Sequence, residues 1–279
     1  MILIADSGTT KTEWCLITDS GILETVITSG INPFYQEAEN ISGILQKEFF
    51  TAKKFSAVHF YGAGCINEEK QNIVKKAILQ VFNAESIFIG SDLLAAARSL
   101  CQDLPGVACI LGTGSNSCYY NGNEIVSNVS PLGFILGDEG SGAVLGKKLV
   151  GDILKKQLSE FLINDFFDTY KTTAIEILEN VYKKPFPSRY LAGYAKFLSK
   201  NIKYSEIEQL VISSFREYVT RNLLKYPEIN MIPIHFTGSI AFHFEAQLRK
   251  VIQEQNLILG NIEQAPMNGL IKYHVSNAF

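Results

Sequence analysis

The chain has 279 residues, of which 47% are apolar and 19% are charged, and its formal net charge is −3. This balance predicts a sizeable core in one large or two modest domains, and it offers no basic surface for nucleic acid. No apolar run approaches the roughly 18 residues that a membrane-spanning helix needs, and no signal-peptide pattern opens the chain. The five cysteines form neither a C-x-x-C pair nor a zinc-binding spacing, which favours free thiols in a reducing compartment and a cytoplasmic protein.

The first part of the chain predicts a meander of three strands, followed by alternating helices and strands. The predicted strands are 1–5, 13–18, 23–28, 57–61 and 86–89, and the predicted helices are 37–49, 67–82 and 93–100.

The same plan restarts near Pro105-Gly106. Three strands are again predicted, at 107–111, 117–120 and 124–129, with a glycine-rich turn after the first. Helices dominate from Asp138 onward; later elements are a helix at 204–224, strands at 232–236 and 257–259, and a helix to about 255 between them. The repeated architecture predicts two related α/β domains, 1–105 and 106–279, with a cleft between them.

Turns rich in glycine and hydroxyl groups follow a buried strand at three places, 6–12, 112–115 and 237–239. Glycine lets the backbone approach an anion closely, and backbone N–H groups, hydroxyls and Lys11 supply donors to phosphoryl oxygens. Asp6 can hold a hydrated Mg²⁺. The Rossmann and Walker motifs are both absent, so the pattern leaves two interpretations: an unusual nucleotide site, or three ordinary turns.

Three further residues each allow a structural and a functional interpretation. Asp92 follows a predicted strand and opens a helix, so it is either a helix cap, a role that Ser91 fills equally well, or a general base. Asp138, in Gly137-Asp-Glu-Gly-Ser-Gly142, either accepts hydrogen bonds from sugar hydroxyls or belongs to a capped helix start. Asn32 either binds a polar ligand or closes an Asx-turn.

Taken together, the motifs resemble the BadF/BadG/BcrA/BcrD-type ATPase family. Within it the chain is most similar to the N-acetylglucosamine kinases of the sugar kinase, heat-shock chaperone and actin superfamily. The resemblance runs over nearly the whole chain and rests on Asp6-Ser-Gly-Thr-Thr-Lys-Thr12, Gly112-Thr-Gly-Ser-Asn116, Gly133-x-x-x-Gly-Asp-Glu-Gly-Ser141 and Thr237-Gly-Ser239.

The resemblance implies two RNase-H-like (actin-like ATPase) domains that close on ATP and Mg²⁺ and phosphorylate an amino sugar, N-acetylglucosamine above all, to its 6-phosphate. Asp6 would hold Mg²⁺ through water, and Asn32, Asp92 and Asp138 would line the sugar site, with Asp92 as the base that deprotonates the 6-hydroxyl. A homodimer is also implied. The residues implied to bind ATP are Gly8, Thr9, Lys11, Thr12, Gly112, Thr113, Gly114, Ser115, Gly238 and Ser239.

Two residues depart from the family pattern. Ser7 stands where a second glycine is usual, and Phe134 stands where the sugar kinases often carry a tryptophan, which bears on sugar preference. Glucosamine, N-acetylmuramic acid and other hexoses stay open as acceptors, because pocket shape reads the N-acetyl and lactyl groups.

Two other functions are weighed against the kinase. One is an ATPase of the dehydratase-activator type, which requires clustered cysteines for an iron–sulfur cluster, whereas Cys101, Cys109 and Cys118 are separated by strands and turns. The other is a sugar- or nucleotide-binding protein without catalysis, which a degenerate motif would favour.

Overall fold

The computed structural model describes residues 1–8, 10–19, 21–49, 51–227 and 229–278, with side chains described as far as residue 276. The chain divides into two units, each built around its own five-stranded mixed sheet. The first unit contains Met1–Leu104, Gly122–Glu124 and the chain from Ala265 onward, and the second contains Pro105–Asn121 and Ile125–Gln264.

The sheet of the first unit has the strand order β3-β2-β1-β4-β5. Strands β1 to β3 form the predicted antiparallel meander, and β4 and β5 continue the sheet in parallel with β1. Its elements are β1 Ile2–Ser7, β2 Lys11–Thr18, β3 Gly21–Ser29, α1 Ala38–Glu48, β4 Lys54–Gly62, α2 Glu68–Val81, β5 Asn83–Ser91 and α3 Asp92–Cys101.

Strand β1 is buried on both faces, because its alternating side chains enter two different clusters. Leu3 and Ala5 join a core with Trp14, whereas Ile2 and Ile4 join the cluster on the face covered by α3. The Trp14 indole packs against three phenylalanine rings and donates its N–H to Thr28 Oγ1 at 3.0 Å.

The second sheet has the order β10-β9-β6-β7-β8 with the same strand directions as the first. The predicted fold class, two α/β domains of the RNase-H-like type, is therefore confirmed. The elements of this unit are β6 Gly106–Leu111, β7 Ser115–Tyr120, β8 Ile125–Asn128, α4 Gly133–Leu136, α5 Gly142–Leu154, α6 Glu160–Tyr170, α7 Ala174–Tyr182, α8 Pro187–Ala192, α9 Ala195–Lys200, α10 Ser205–Arg221, β9 Ile234–Thr237, α11 Ser239–His243, α12 Glu245–Glu254 and β10 Leu259–Glu263.

The end of the chain differs from the prediction that assigned all residues from 106 to 279 to the second domain. A last helix, α13 (Met267–Ala278), belongs to the first unit and packs on α3. Its Met267 and Leu270 join the cluster that contains Ile2 and Ile4, and the Gln102 side chain donates to the Gly269 carbonyl at 3.1 Å. Burial of Met267 and Leu270 thus places the C-terminal helix in the first unit.

Strand β10 also begins later than the predicted strand at 257–259. Helix α12 ends with Asn256 in the left-handed conformation (φ 54°), and the Leu257 N–H donates to the Ile252 carbonyl at 3.2 Å. Residues 257 and 258 therefore connect α12 to the strand, and β10 pairs with β9 from Leu259 onward.

Candidate functional site

Three chain segments leave the first sheet at the same edge. Strands β1, β4 and β5 are parallel, and Ser7, Gly62 and Ser91 stand opposite one another at their carboxyl ends. The turn after β1, the loop 62–64 and the start of α3 therefore begin side by side, which is where ligands bind in open α/β sheets.

Asp6 lies one residue before this edge, in a concentration of negative charge. Burial, together with the nearby carboxylates of Asp92 and Glu13, raises the pKa of Asp6 to about 7, and Lys11 opposes the rise. A half-buried carboxylate among other carboxylates suits a hydrated divalent cation, whose charge would offset the repulsion. The predicted site residue Thr9 lies outside the described residues.

Ser7 and Thr12 face the interior and not the turn's outer surface. The Ser7 hydroxyl oxygen is 2.7 Å from Thr12 Oγ1, accepts from the Ile31 N–H at 3.1 Å and lies 3.0 Å from the Ile31 carbonyl oxygen. Thr12 is fully buried and also donates to the Ser29 carbonyl at 3.2 Å. The hydroxyl of Thr12 is thus engaged inside the protein, and Ser7 ties β1 to the segment that carries Asn32.

Asn32 makes the predicted Asx-turn and also borders the loop 62–64. Its Oδ1 accepts from the Phe34 N–H at 2.9 Å. A Cβ on Gly64 (φ 86°) would overlap the same amide oxygen, so glycine is needed for the loop to approach. Within the described part of the chain, Asn32 Nδ2 has no hydrogen-bond partner, which leaves a donor for a polar ligand.

The neighbouring residue, Ser91, takes the capping role that was one of the two interpretations of Asp92. Ser91 is the N-cap of α3, since its Oγ accepts from the Leu94 N–H at 3.1 Å. Asp92 is the first helical residue, and its Oδ1 accepts from the Leu93 N–H at 2.8 Å, while Oδ2 has no partner among the described residues. Burial raises the pKa of Asp92. Asp92 is therefore a half-buried carboxylate with an oxygen available for a substrate.

The glycine turn after β6 is held to the start of α5 by backbone hydrogen bonds. The Gly112 N–H donates to the Gly114 carbonyl at 2.9 Å, which closes the turn. The N–H groups of Gly142 and Ala143 donate to the carbonyls of Gly112 and Thr113 at 2.8 and 3.0 Å. The turn is thus fixed in place before any ligand arrives.

Asp138 lies against this turn, in the left-handed conformation with φ 54°. Its Oδ1 accepts from the Ser115 N–H at 3.3 Å, and its Oδ2 would be 3.1 Å from a Cβ on Gly114. Burial raises the pKa of Asp138. Asp138 belongs to the second unit, whereas Asn32 and Asp92 belong to the first.

The other polar residues of the Gly137–Gly142 motif hold the structure together. Ser141 caps α5 by accepting from the Val144 N–H at 3.2 Å. Glu139 is buried and pairs with Arg221 at 2.5 Å. Asp138 is therefore free of the capping role that the sequence also allowed.

The third turn, after β9, adjoins the second. Gly238 has φ 115°, and a Cβ there would overlap the Leu111 carbonyl oxygen, so only glycine fits between the two strand ends. Beside both turns lies a cavity of about 570 Å³, a size typical of small-molecule sites. Its lining residues are Gly112, Thr113, Arg189, Ala192, Gly193, Ala195, Lys196, Ser199, Lys200, Ser239, Ile240, His243 and Phe244.

Sequence reasoning missed the cationic side of this cavity, formed by Arg189, Lys196 and Lys200. The one local signal is the spacing in α9, where Lys196 and Lys200 are one helical turn apart while Phe197 and Leu198 are buried. That spacing predicts only a solvated helix face.

Glycine serves different purposes in these turns. A Cβ on Gly112 would have nothing within 4 Å, and one on Gly8 would be 3.8 Å from its nearest neighbour, the Lys11 carbonyl oxygen. Neither residue has a positive φ, so the fold itself does not require glycine there. Both leave bare backbone beside open space, which suits the close approach of a phosphate group.

The cysteines do not favour an iron–sulfur site. All five are free and buried, and they come from different strands, helices and loops. Within the described ranges, no group of three or more His, Cys, Asp or Glu side chains is placed to hold a metal ion. The described helices also include none that is both long and apolar enough to span a membrane.

No family model matches the sequence, and comparison with curated proteins gives no match. Solved structures do match. A Porphyromonas gingivalis protein provisionally named as an N-acetylglucosamine kinase is 46% identical over 100% of both chains, with a TM-score of 0.96.

Two more distant structures share the fold. A Chromobacterium violaceum protein with the same provisional name is 17% identical over 98% of each chain, with a TM-score of 0.75. A ROK-family glucokinase from Streptomyces griseus, solved with glucose and AMPPNP, is 14% identical over 97% of each chain, with a TM-score of 0.54. On the strength of the Porphyromonas relative, the chain belongs to the N-acetylglucosamine-kinase-type family within the sugar kinase, heat-shock chaperone and actin superfamily.

Proposed function

We propose that this chain is an ATP-dependent sugar kinase that transfers the γ-phosphoryl group of ATP to the 6-hydroxyl of an amino sugar, N-acetylglucosamine. The observation that carries the proposal is the difference between Ser91 and Asp92 at the start of α3. Because Ser91 caps the helix, the neighbouring Asp92 keeps one carboxylate oxygen for a substrate hydroxyl. The name of the 46% identical relative supports the choice of sugar.

The glycine turns are assigned to the nucleotide. Gly8 and Lys11 of the first turn and 112–115 of the second would donate to phosphate oxygens, and Gly238 and Ser239 would lie against the adenosine. The 570 Å³ cavity beside Gly112 and Ser239 has room for the base and ribose. Asp6 would hold Mg²⁺ through water, and the bound ion would offset the negative charge of the phosphates.

Asp92 is assigned the role of general base. Its Oδ2 takes the proton of the 6-hydroxyl while O6 bonds to the γ-phosphorus and the bond from that phosphorus to the β–γ bridging oxygen breaks, releasing ADP. Burial raises the pKa of Asp92 toward the working pH, which makes the carboxylate a better proton acceptor. Asn32 Nδ2 and the Asp138 carboxylate would orient the sugar hydroxyls.

The test is a panel of acceptor sugars with ATP and Mg²⁺, scored by kcat/KM from coupled ADP release. The panel contains N-acetylglucosamine, glucosamine, N-acetylmuramic acid and 6-deoxy-N-acetylglucosamine. We expect N-acetylglucosamine to rank first and the 6-deoxy sugar to give no ADP above background. Sugar-independent ATP hydrolysis would favour an ATPase, and binding without turnover would favour a non-catalytic protein; either result overturns the proposal.

A further inference from the structure

A second cavity lies in the helical part of the second unit and shares Gly193 with the cavity beside the glycine turns. It has a volume of about 450 Å³ and is lined by α6, α7, α8 and the start of α9. One wall consists of Tyr170, Tyr190 and Tyr194. The polar part of the lining, the polar wall, includes Glu176, Asn180 and Lys184.

The three tyrosine rings form a rigid corner. The Tyr170 and Tyr194 ring centroids are 4.7 Å apart at 85°, and those of Tyr190 and Tyr194 are 5.3 Å apart at 81°. The Tyr194 hydroxyl donates to the Tyr190 hydroxyl at 2.6 Å. Edge-to-face packing and this hydrogen bond hold the rings in fixed orientations, so an apolar ligand face meets a preformed surface.

The polar wall offers both donors and acceptors. Asn180 Nδ2 donates to the Glu176 carbonyl at 2.6 Å, and Asn180 Oδ1 has no hydrogen-bond partner among the described residues. Lys184 forms no ion pair with any described side chain, whereas the adjacent Lys183 pairs with Glu179 at 3.6 Å. Glu176 Oε2 already accepts from the Thr173 N–H at 2.9 Å in the capping box of α7, so Glu176 Oε1, Asn180 Oδ1 and the Lys184 ammonium are the groups that can bind hydroxyl groups.

We propose that this cavity is a second carbohydrate site that binds the pyranose ring of a hexose. The C–H face of the ring would pack on the tyrosines, and its hydroxyls would bond to Glu176, Asn180 and Lys184. The hexose has two possible forms, a free amino sugar or its 6-phosphate, which share the ring chemistry. Gly193 lines both this cavity and the one beside the glycine turns, so an occupant here is placed to affect the nucleotide site.

The test is a titration of the full chain with ¹³C-labelled tyrosine, followed by NMR of the ring signals. N-acetylglucosamine and its 6-phosphate are the two probes, and mannitol, which has no ring, is the control polyol. We expect saturable shifts of the Tyr170, Tyr190 and Tyr194 signals with at least one probe and none with mannitol. The tighter of the two probes identifies the form that binds.

Variants locate the site without using kinase activity, so their outcome does not depend on the proposed function. Lys184→Ala and Asn180→Ala should each weaken binding about tenfold, whereas Lys183→Ala, one residue away and outside the cavity, should leave it unchanged. The proposal is overturned by an absence of tyrosine shifts at tens of millimolar sugar, by equal shifts with mannitol, or by shifts that the Lys184 and Asn180 variants do not weaken.

Discussion

Ser91 and Asp92 are adjacent in sequence, yet Ser91 caps α3 whereas Asp92 is proposed as the general base, and a pair of substitutions can separate these two roles. Asp92→Asn keeps Oδ1, which accepts from the Leu93 N–H at 2.8 Å, and it leaves the Ser91 cap intact. Because burial raises the pKa of Asp92, the charged carboxylate is disfavoured in the folded state, and a neutral amide removes that cost. We therefore expect the Asn variant to unfold at the same urea concentration as the native chain or a higher one.

Its activity should fall steeply. Loss of a general base typically lowers kcat by about 10²–10⁴. ATP binding should stay at the native level, since the substitution leaves the glycine turns untouched. The matched control, Ser91→Ala, removes the side-chain oxygen that caps α3 and should lower the free energy of unfolding by about 1 kcal/mol while kcat stays at the native level.

The turnover, the ATP affinity and the stability are all measurable in the same preparations. Coupled ADP release at saturating sugar gives kcat, calorimetry gives the ATP affinity, and urea titration gives stability. Trp14 is the one tryptophan of the chain and is buried in the unit that contains α3, so its fluorescence follows the unfolding of that unit. The reasoning fails if Asp92→Asn keeps near-native turnover, or if Ser91→Ala loses as much kcat as Asp92→Asn.

Other substitutions and conditions test the turns and the first core. Gly238→Ala should lower stability in urea by about 1–3 kcal/mol because its φ of 115° does not suit a side chain, and native stability would contradict this. Gly112→Ala, with open space around the new methyl, should unfold normally but bind ATP more weakly by calorimetry, and unchanged affinity would remove it from the phosphate site. Lys11→Met should raise the KM for ATP about tenfold or more and leave the KM for the sugar unchanged; equal effects on both would argue against a phosphate contact. Burial lowers the pKa of His59 to about 4 and of His274 to about 3, so the unfolded chain binds more protons below pH 6.5. The two histidines should therefore each lower stability by about 3 kcal/mol between pH 6.5 and pH 4, while carboxyl groups with a raised pKa, such as Asp6, act in the opposite direction. The test is the difference between two chains: urea titrations across this range should show a smaller loss of stability toward acid pH in His274→Gln than in the native chain, and an equal pH dependence would refute the assignment.

The two sheets were predictable because their strands are short apolar runs closed by glycine turns, and because the same order of elements occurs twice. Helix α13 was assigned to the other domain, because its partner α3 is distant in sequence and only burial of residues such as Met267 and Leu270 brings the two together. The local sequence pattern also does not predict whether the Thr12 side chain faces the interior or the outer surface of the turn. The pairing of Thr12 with Ser7 in the β1–β2 hairpin sets both on one face and directs the predicted ATP donor inward.

The candidate site was predictable where a residue type carries its own chemistry, as with Asp6, Asp138 and the glycine turns. The choice between Ser91 and Asp92 as helix cap required hydrogen-bond geometry, since either residue suits that position. The cationic wall of the cavity beside the glycine turns carries no motif. Lys196 and Lys200 reach the cavity through the packing of α9 in the second unit, which spacing along the chain does not encode.

The most direct test of the central claim is the product itself. The native chain is incubated with ATP, Mg²⁺ and N-acetylglucosamine, and the mixture is followed by phosphorus NMR. We predict ADP and N-acetylglucosamine 6-phosphate in equal amounts, with the new phosphorus signal coupled to the protons on carbon 6. Formation of ADP and inorganic phosphate without any phosphorylated sugar, or no consumption of ATP, would contradict the assignment of this chain as a sugar kinase.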